Sequence, residues 1–160
     1  MPPTNSFRGV NRRSLVLGAL ALGSLSLALA KDEQTLTIQV WKDPNCGCCR
    51  DWISHIEKNG FSVRVMDEGN PSARSELGVP LKYASCHTAL VAGYFIEGHV
   101  PALDIKKMLA QKPIALGLAV PGMPLGSPGM DGGVYGGRRD PFKVLLIQKD
   151  GSASVYNSYS

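Results

Sequence analysis

"WKDPNCGCCR", residues 41–50, places three thiols within four positions directly after a run that reads as a strand. Upstream, Leu36, Ile38 and Val40 alternate with Thr37, Gln39 and Trp41, the period of a strand with one more apolar face. Downstream, Cys49, Trp52, Ile53 and Ile56 recur at i, i+3, i+4 and i+7, the stripe of an amphipathic helix. Asn45 is the expected N-cap of that helix, and Asn59-Gly60 its stop. The cysteines therefore fall at a strand-to-helix junction. On a regular helix Cys46 and Cys49 lie about 60° apart and Cys48 about 160° from Cys46, so the three share no face. They converge only over the helix's N-terminal end, where free N–H groups and partial positive charge favour thiolates.

Three chemistries fit thiols so crowded: a C-x-x-C redox pair with an extra thiol inside it, a soft-metal site, or a structural disulfide framework. Spacing weakens the last. A Cys48-Cys49 bridge is a strained vicinal disulfide, and a Cys46-Cys49 bridge leaves Cys48 to find Cys86, the one remote cysteine.

The N-terminus bears on the compartment. Residues 1–30 carry Arg8, Arg12 and Arg13 and no acid, and residues 14–30 are an uncharged run closing on Ala28-Leu29-Ala30. This is the pattern of a signal peptide, and Arg12-Arg13-Ser14-Leu15-Val16 also fits the start of a twin-arginine signal. The run is shorter than the ~20 apolar residues of a spanning helix and is diluted by Gly and Ser, so no stable membrane insertion is expected once it is removed. The basic balance of 17 Lys and Arg against 13 Asp and Glu belongs mostly to this segment. Without its three arginines the chain has 14 against 13, and no basic run interleaved with aromatics points to nucleic acid. Residues 31–160 suffice for a single domain with one core, and they hold all four cysteines in a compartment expected to be oxidising.

Along residues 31–160 the elements alternate. Phe61, Val63 and Val65 form a second strand, Ser72 to Leu77 a short helix closed by Gly78 and Pro80, and Thr88–Val91 and Tyr94–Glu97 a hairpin about Ala92-Gly93. Pro101 opens a helix whose Leu103, Ile105, Met108 and Leu109 are expected mostly inward. "GLAVPGMPLGSPGMDGGVYGG", residues 117–137, is rich in Gly and Pro yet threaded with Val120, Met123, Leu125 and Met130, and reads as an ordered functional loop. Phe142 to Ile147 and Ala153 to Tyr156 then form a C-terminal β-hairpin about Lys149–Ser152. This order resembles an α/β, thioredoxin-like fold with an insertion. That fold sets its redox C-x-x-C between the first strand and first helix, where Cys46 to Cys49 stand, and a cis-proline opposite, a part open to Pro121, Pro124 or Pro141.

"WKDPNCGCC", "SCHTA" at 85–89, "GYFIEGHVPA" at 93–102 and "GLAVPGMPLGSPGM" at 117–130 together resemble the CopG-like copper-resistance family of small exported bacterial proteins. The resemblance covers most of residues 36–156. It implies a thioredoxin-like fold, residence in the periplasm, and copper bound through Cys46, Cys48, Cys49 and Cys86.

The residues agree with a soft metal on their own terms. Clustered thiolates with nearby methionine suit Cu(I), whereas a structural zinc site usually uses two separated chelating pairs. Four thiolates on one Cu(I) crowd excess negative charge, while bridging sulfurs over several ions remove it, so more than one Cu(I) per chain is expected. His87, beside Cys86, is expected to face away if the segment is extended, or to contact the cluster only through a turn. His99, in "EGHVP" before a helix, either caps a turn or ligates. Met123 and Met130 either pass Cu(I) through their thioethers or pack. His55 is expected toward solvent, and Met66 and Met108 in packing. Two functions remain: a periplasmic copper-binding resistance protein, whose metal is coupled or not to redox chemistry, and a thiol-disulfide oxidoreductase using only Cys46 and Cys49.

Overall fold

The computed structural model describes residues 36–160, and the expected signal segment lies outside the described residues. Strand β1 (Thr37–Lys42) runs into helix α1 (Gly47–Lys58), then β2 (Ser62–Met66), α2 (Pro71–Glu76), β3 (His87–Val91), β4 (Tyr94–Glu97), α3 (Ala102–Gln111), β5 (Gly117–Ala119), β6 (Phe142–Ile147) and β7 (Ala153–Tyr159). The strands form one mixed sheet of seven, in the order β2-β1-β3-β4-β5-β6-β7. β1 pairs parallel with β2, and β4 with β5; the other neighbours are antiparallel.

Successive side chains of a strand point to opposite faces, and here both faces are used. On one, Ile38 and Val40 of β1, Ile96 of β4 and Leu118 of β5 pack against Trp52, Ile53 and Ile56 of α1 and Ile105 and Met108 of α3. On the other, Phe95, Ala119 and Ile147 pack against Val79, with Leu77 and Tyr83 at the edge. β3 is covered on both sides, which is why "HTALV" reads as a nearly continuous apolar run.

Several sequence expectations shift. The N-cap of α1 is Cys46, one residue past Asn45, and its sulfur accepts the Cys49 N–H. Leu103 faces out at 69% exposure because it lies off the buried stripe of Ala102, Ile105 and Met108. The segment 117–137 begins as a strand: β5 is only three residues long, too short for a period to be read, yet it is wholly buried inside the sheet between β4 and β6. Pro121, Pro124 and Pro141 line a groove of about 500 Å³ with Phe142, Leu145 and Tyr159. The position immediately before β3 is taken by Cys86.

His55 is half-buried rather than solvent-facing, because its Nε2 accepts the Ala102 N–H at 3.1 Å and so caps α3. Only an unprotonated Nε2 can accept that bond. Burial lowers the His55 pKa from its ordinary 6.5, and Lys58 adds to this while Asp131 opposes it. As pH falls, the unfolded chain takes the proton first, so this contribution is full above about 6.5 and is lost as pH drops through the folded-state value. His87 and His99 shift in the same direction. Denaturation midpoints of metal-free protein should therefore fall with acidification below pH ~6.5. His55→Gln should flatten that fall, and an identical pH slope in the variant would show that the cap is not what titrates.

Candidate metal centre

The turn after β1 aims the cysteines. Asp43 receives the Asn45 N–H on its carboxylate at 2.7 Å and the Cys46 N–H on its carbonyl at 3.1 Å, which delivers Cys46 to the mouth of α1. From there Cys46 and Cys49 are joined as a disulfide with Cα atoms 5.3 Å apart, and Cys48 and Cys86 are free thiols. Cys48 Sγ stands 3.6 Å from Cys46 Sγ and 3.8 Å from Cys86 Sγ. All four sulfurs fall within 4.8 Å of one another. The crowding in the sequence is thus a convergence over the helix end, completed by the remote cysteine.

Cys49 is fully buried on the stripe of Trp52, Ile53 and Ile56, whereas Cys46 and Cys48 are partly open. Timed alkylation of reduced, metal-free protein should accordingly label Cys46 well before Cys49. Equal rates would mean that the first turn of α1 opens once the disulfide is cut.

Two histidines complete the cluster. His99 Nε2 lies 3.1 Å from Cys86 Sγ, and His87 Nδ1 lies 3.3 Å from it. His99 Nδ1 sits 2.8 Å from the Pro128 carbonyl, which can only accept, so Nδ1 carries the proton and the Nε2 lone pair faces the sulfur. His87 is wholly buried, 4.3 Å from the Trp52 ring and 5.1 Å from that of His99. Its Nε2 has no hydrogen-bond partner among the described residues. Of the two expectations for His87, contact through a turn is the one found: β3 starts at His87, which leaves Cys86 in the preceding turn, outside the alternation.

Burial sets the proton affinities. It pushes the Cys86 thiol up to about 12, helped by the charge and hydrogen bond of Cys48, and it lowers His99 and, more strongly, His87. Neutral imidazoles and a thiol that ionises only beside a cation are donors suited to a metal. Met123 is half-exposed at 53%, and Met130 is buried in the turn that its own N–H closes onto the Ser127 carbonyl.

Sequence reading did not find Arg74 and Glu97. Glu97 is fully buried at the end of β4 and accepts from Arg74, from the Ser85 N–H at 2.6 Å and from the Thr88 hydroxyl at 2.6 Å. Burial raises its pKa, while these donors pull it back. A buried carboxylate in the apolar run "GYFIEGHV" was the signal available.

A solved structure of copper resistance protein CopG, in its form 2, is 49% identical over 79% of this chain and all of that chain, with a TM-score of 0.73. The chain belongs to the CopG family. Form 1 of copper resistance protein CopG gives 50% identity, a TM-score of 0.72, and coverage of 79% of this chain and 98% of that chain. A family model described as a protein of unknown function, DUF411, matches residues 83–130. A search of curated proteins finds no match. The DUF411 segment holds Cys86, His87 and His99, which are distant from the C-x-C-C motif in sequence though beside it in space. Among the described residues, no helix is long and apolar enough to cross a membrane.

Proposed function

We propose that this CopG-family chain is an exported, periplasmic copper-binding protein of copper resistance that holds Cu(I) on Cys46, Cys48, Cys49 and Cys86. The carrying observation is the convergence of four sulfurs within 4.8 Å over a helix N-terminus. Soft thiolates with neutral imidazoles fit Cu(I) better than a hard cation. His87 and His99 are proposed as additional ligands on the Cys86 side, and the reading also admits Met123 and Met130 as thioether donors. Copper retained after purification under reducing conditions tests this, with turnover of a disulfide substrate measured beside it. Retained copper without turnover supports the binding protein; turnover without copper would reject it.

The thioredoxin-like description of the domain is supported by the sheet order β2-β1-β3-β4, with β2 parallel and β3 antiparallel to β1, and by a C-x-x-C pair between β1 and α1; β5 to β7 extend the sheet. The Cys46–Cys49 disulfide favours a second reading, the thiol-disulfide oxidoreductase. It also supports coupling between the two. The reduced pair can pass one electron to each of two Cu(II), becoming the disulfide, releasing two protons and leaving two Cu(I). Export is proposed from residues 1–30, and protein recovered from the periplasm should begin at Lys31 by mass spectrometry; an intact N-terminus in the membrane fraction would overturn it.

A further inference from the structure

Cys86 is the only cysteine outside the motif, and it sits in a turn between the single-turn helix Leu81–Tyr83 and β3. Its neighbour Ser85 is held on every polar group. The Ser85 N–H donates to Glu97 Oε1 at 2.6 Å. The Ser85 carbonyl accepts from Arg74 Nη2 at 2.5 Å and from Asn70 Nδ2 at 3.3 Å, and the Ser85 hydroxyl donates to the Gly122 carbonyl. Arg74 in turn donates to Glu97 through Nε at 3.1 Å and pairs with it through Nη2 at 3.0 Å. Thr88 bridges from Asn70 to the second Glu97 oxygen. The approach is close enough that a Cβ on Gly98, at φ +71°, would stand 2.5 Å from the Ser85 hydroxyl oxygen.

We infer that Arg74 and Glu97 are positioning residues of the copper centre: their part-buried ion pair clamps both backbone groups of Ser85 and thereby holds the Cys86 sulfur against Cys48. A side chain can fix a turn only by satisfying groups the turn leaves open, and here one carboxylate takes the N–H while its partner guanidinium takes the C=O. The pair joins α2 to β4 across the turn, so the position of Cys86 is set by elements that never touch copper. That copper is the metal rests on the function proposed above; the clamp on Cys86 does not.

The test uses the disulfide form, in which Cys48 and Cys86 are the free thiols. Alkylation followed by peptide mass spectrometry gives both rates in one sample. In Arg74→Lys, which keeps the charge but loses the fork, and in Glu97→Gln, Cys86 should react at least about tenfold faster, the loss of one charge-assisted bond, while Cys48 changes by less than about threefold. Cu(I) loading of the reduced variants should fall alongside. Equal acceleration of both thiols would mean general loosening, and no acceleration would mean no clamp; either overturns the inference. Should neither variant fold, hydrogen exchange on the unaltered protein decides: the Ser85 amide, though in a turn, should exchange as slowly as those of β3, and rapid exchange overturns the clamp. If the unaltered protein takes up no Cu(I), the copper reading fails while the alkylation and exchange results still stand or fall by themselves.

Discussion

Anaerobic titration of the fully reduced chain should saturate above one Cu(I), and Cys86→Ser should lower the number bound rather than only the affinity. Two or three thiolates satisfy one Cu(I), and a fourth within 4.8 Å adds uncompensated charge in a poorly solvated place. Bridging sulfurs over several ions remove that repulsion. Cys86 Sγ stands 3.8 Å from Cys48 Sγ, 3.3 Å from His87 Nδ1 and 3.1 Å from His99 Nε2, so it would hold copper from the middle of the donor set, and its loss would remove a central and not a peripheral donor. Because burial holds this thiol up to about 12, metal uptake must displace its proton, and loading should release acid and strengthen as pH rises. Competition with a Cu(I) chelator at two pH values reads number, affinity and proton release together. Saturation at a single copper, or full loading in Cys86→Ser, would leave a mononuclear site or a redox pair as the better account.

Gly129→Ala should be strongly disruptive at the centre. A Cβ there would lie 2.6 Å from the Cys48 carbonyl oxygen and 2.7 Å from the Trp52 amide nitrogen, both backbone atoms of α1 that cannot step aside. The residue also sits at φ +87°, where an L side chain is strained. Left-handed strain and overpacking together should cost about 2–4 kcal/mol. The loop must lift from the first turn of α1, and with it goes the Pro128 carbonyl that fixes the His99 tautomer. Chemical denaturation should show the loss of stability, and Cu(I) loading should fall in whatever fraction remains folded. A midpoint matching the unaltered protein would show that this loop does not bear on α1.

The cysteine junction was legible because two periods meet there: alternation to Trp41, then the helical stripe from Cys49. The hairpin through Ala92-Gly93 was equally plain, since Ala92 and Gly93 both adopt positive φ in a two-residue turn. β5 was not, because three residues inside a Gly-Pro segment carry no period. Of the histidines, His55 was misjudged, because its role comes from a partner distant in sequence, the Ala102 N–H, which helical spacing cannot reveal. Spacing left open whether His87 would turn away or meet Cys86 through a turn, because that depends on where β3 begins. Cys46 as the cap of its own helix was hidden by convention, since sulfur is a weak acceptor and Asn is the residue one looks for.

The stacking of His87 on Trp52 carries an optical consequence. The indole of Trp52 is sealed from water, bonded through Nε1 to the Val100 carbonyl at 2.9 Å, and its ring lies 4.3 Å from an imidazole that itself touches Cys86. Its emission should be blue-shifted, insensitive to external quenchers and responsive to any heavy ion on the Cys86 side. Trp41, partly exposed on β1, supplies the solvent-sensitive reference in the same molecule. The chain thus contains its own fluorimeter for occupancy of the centre, readable without a label.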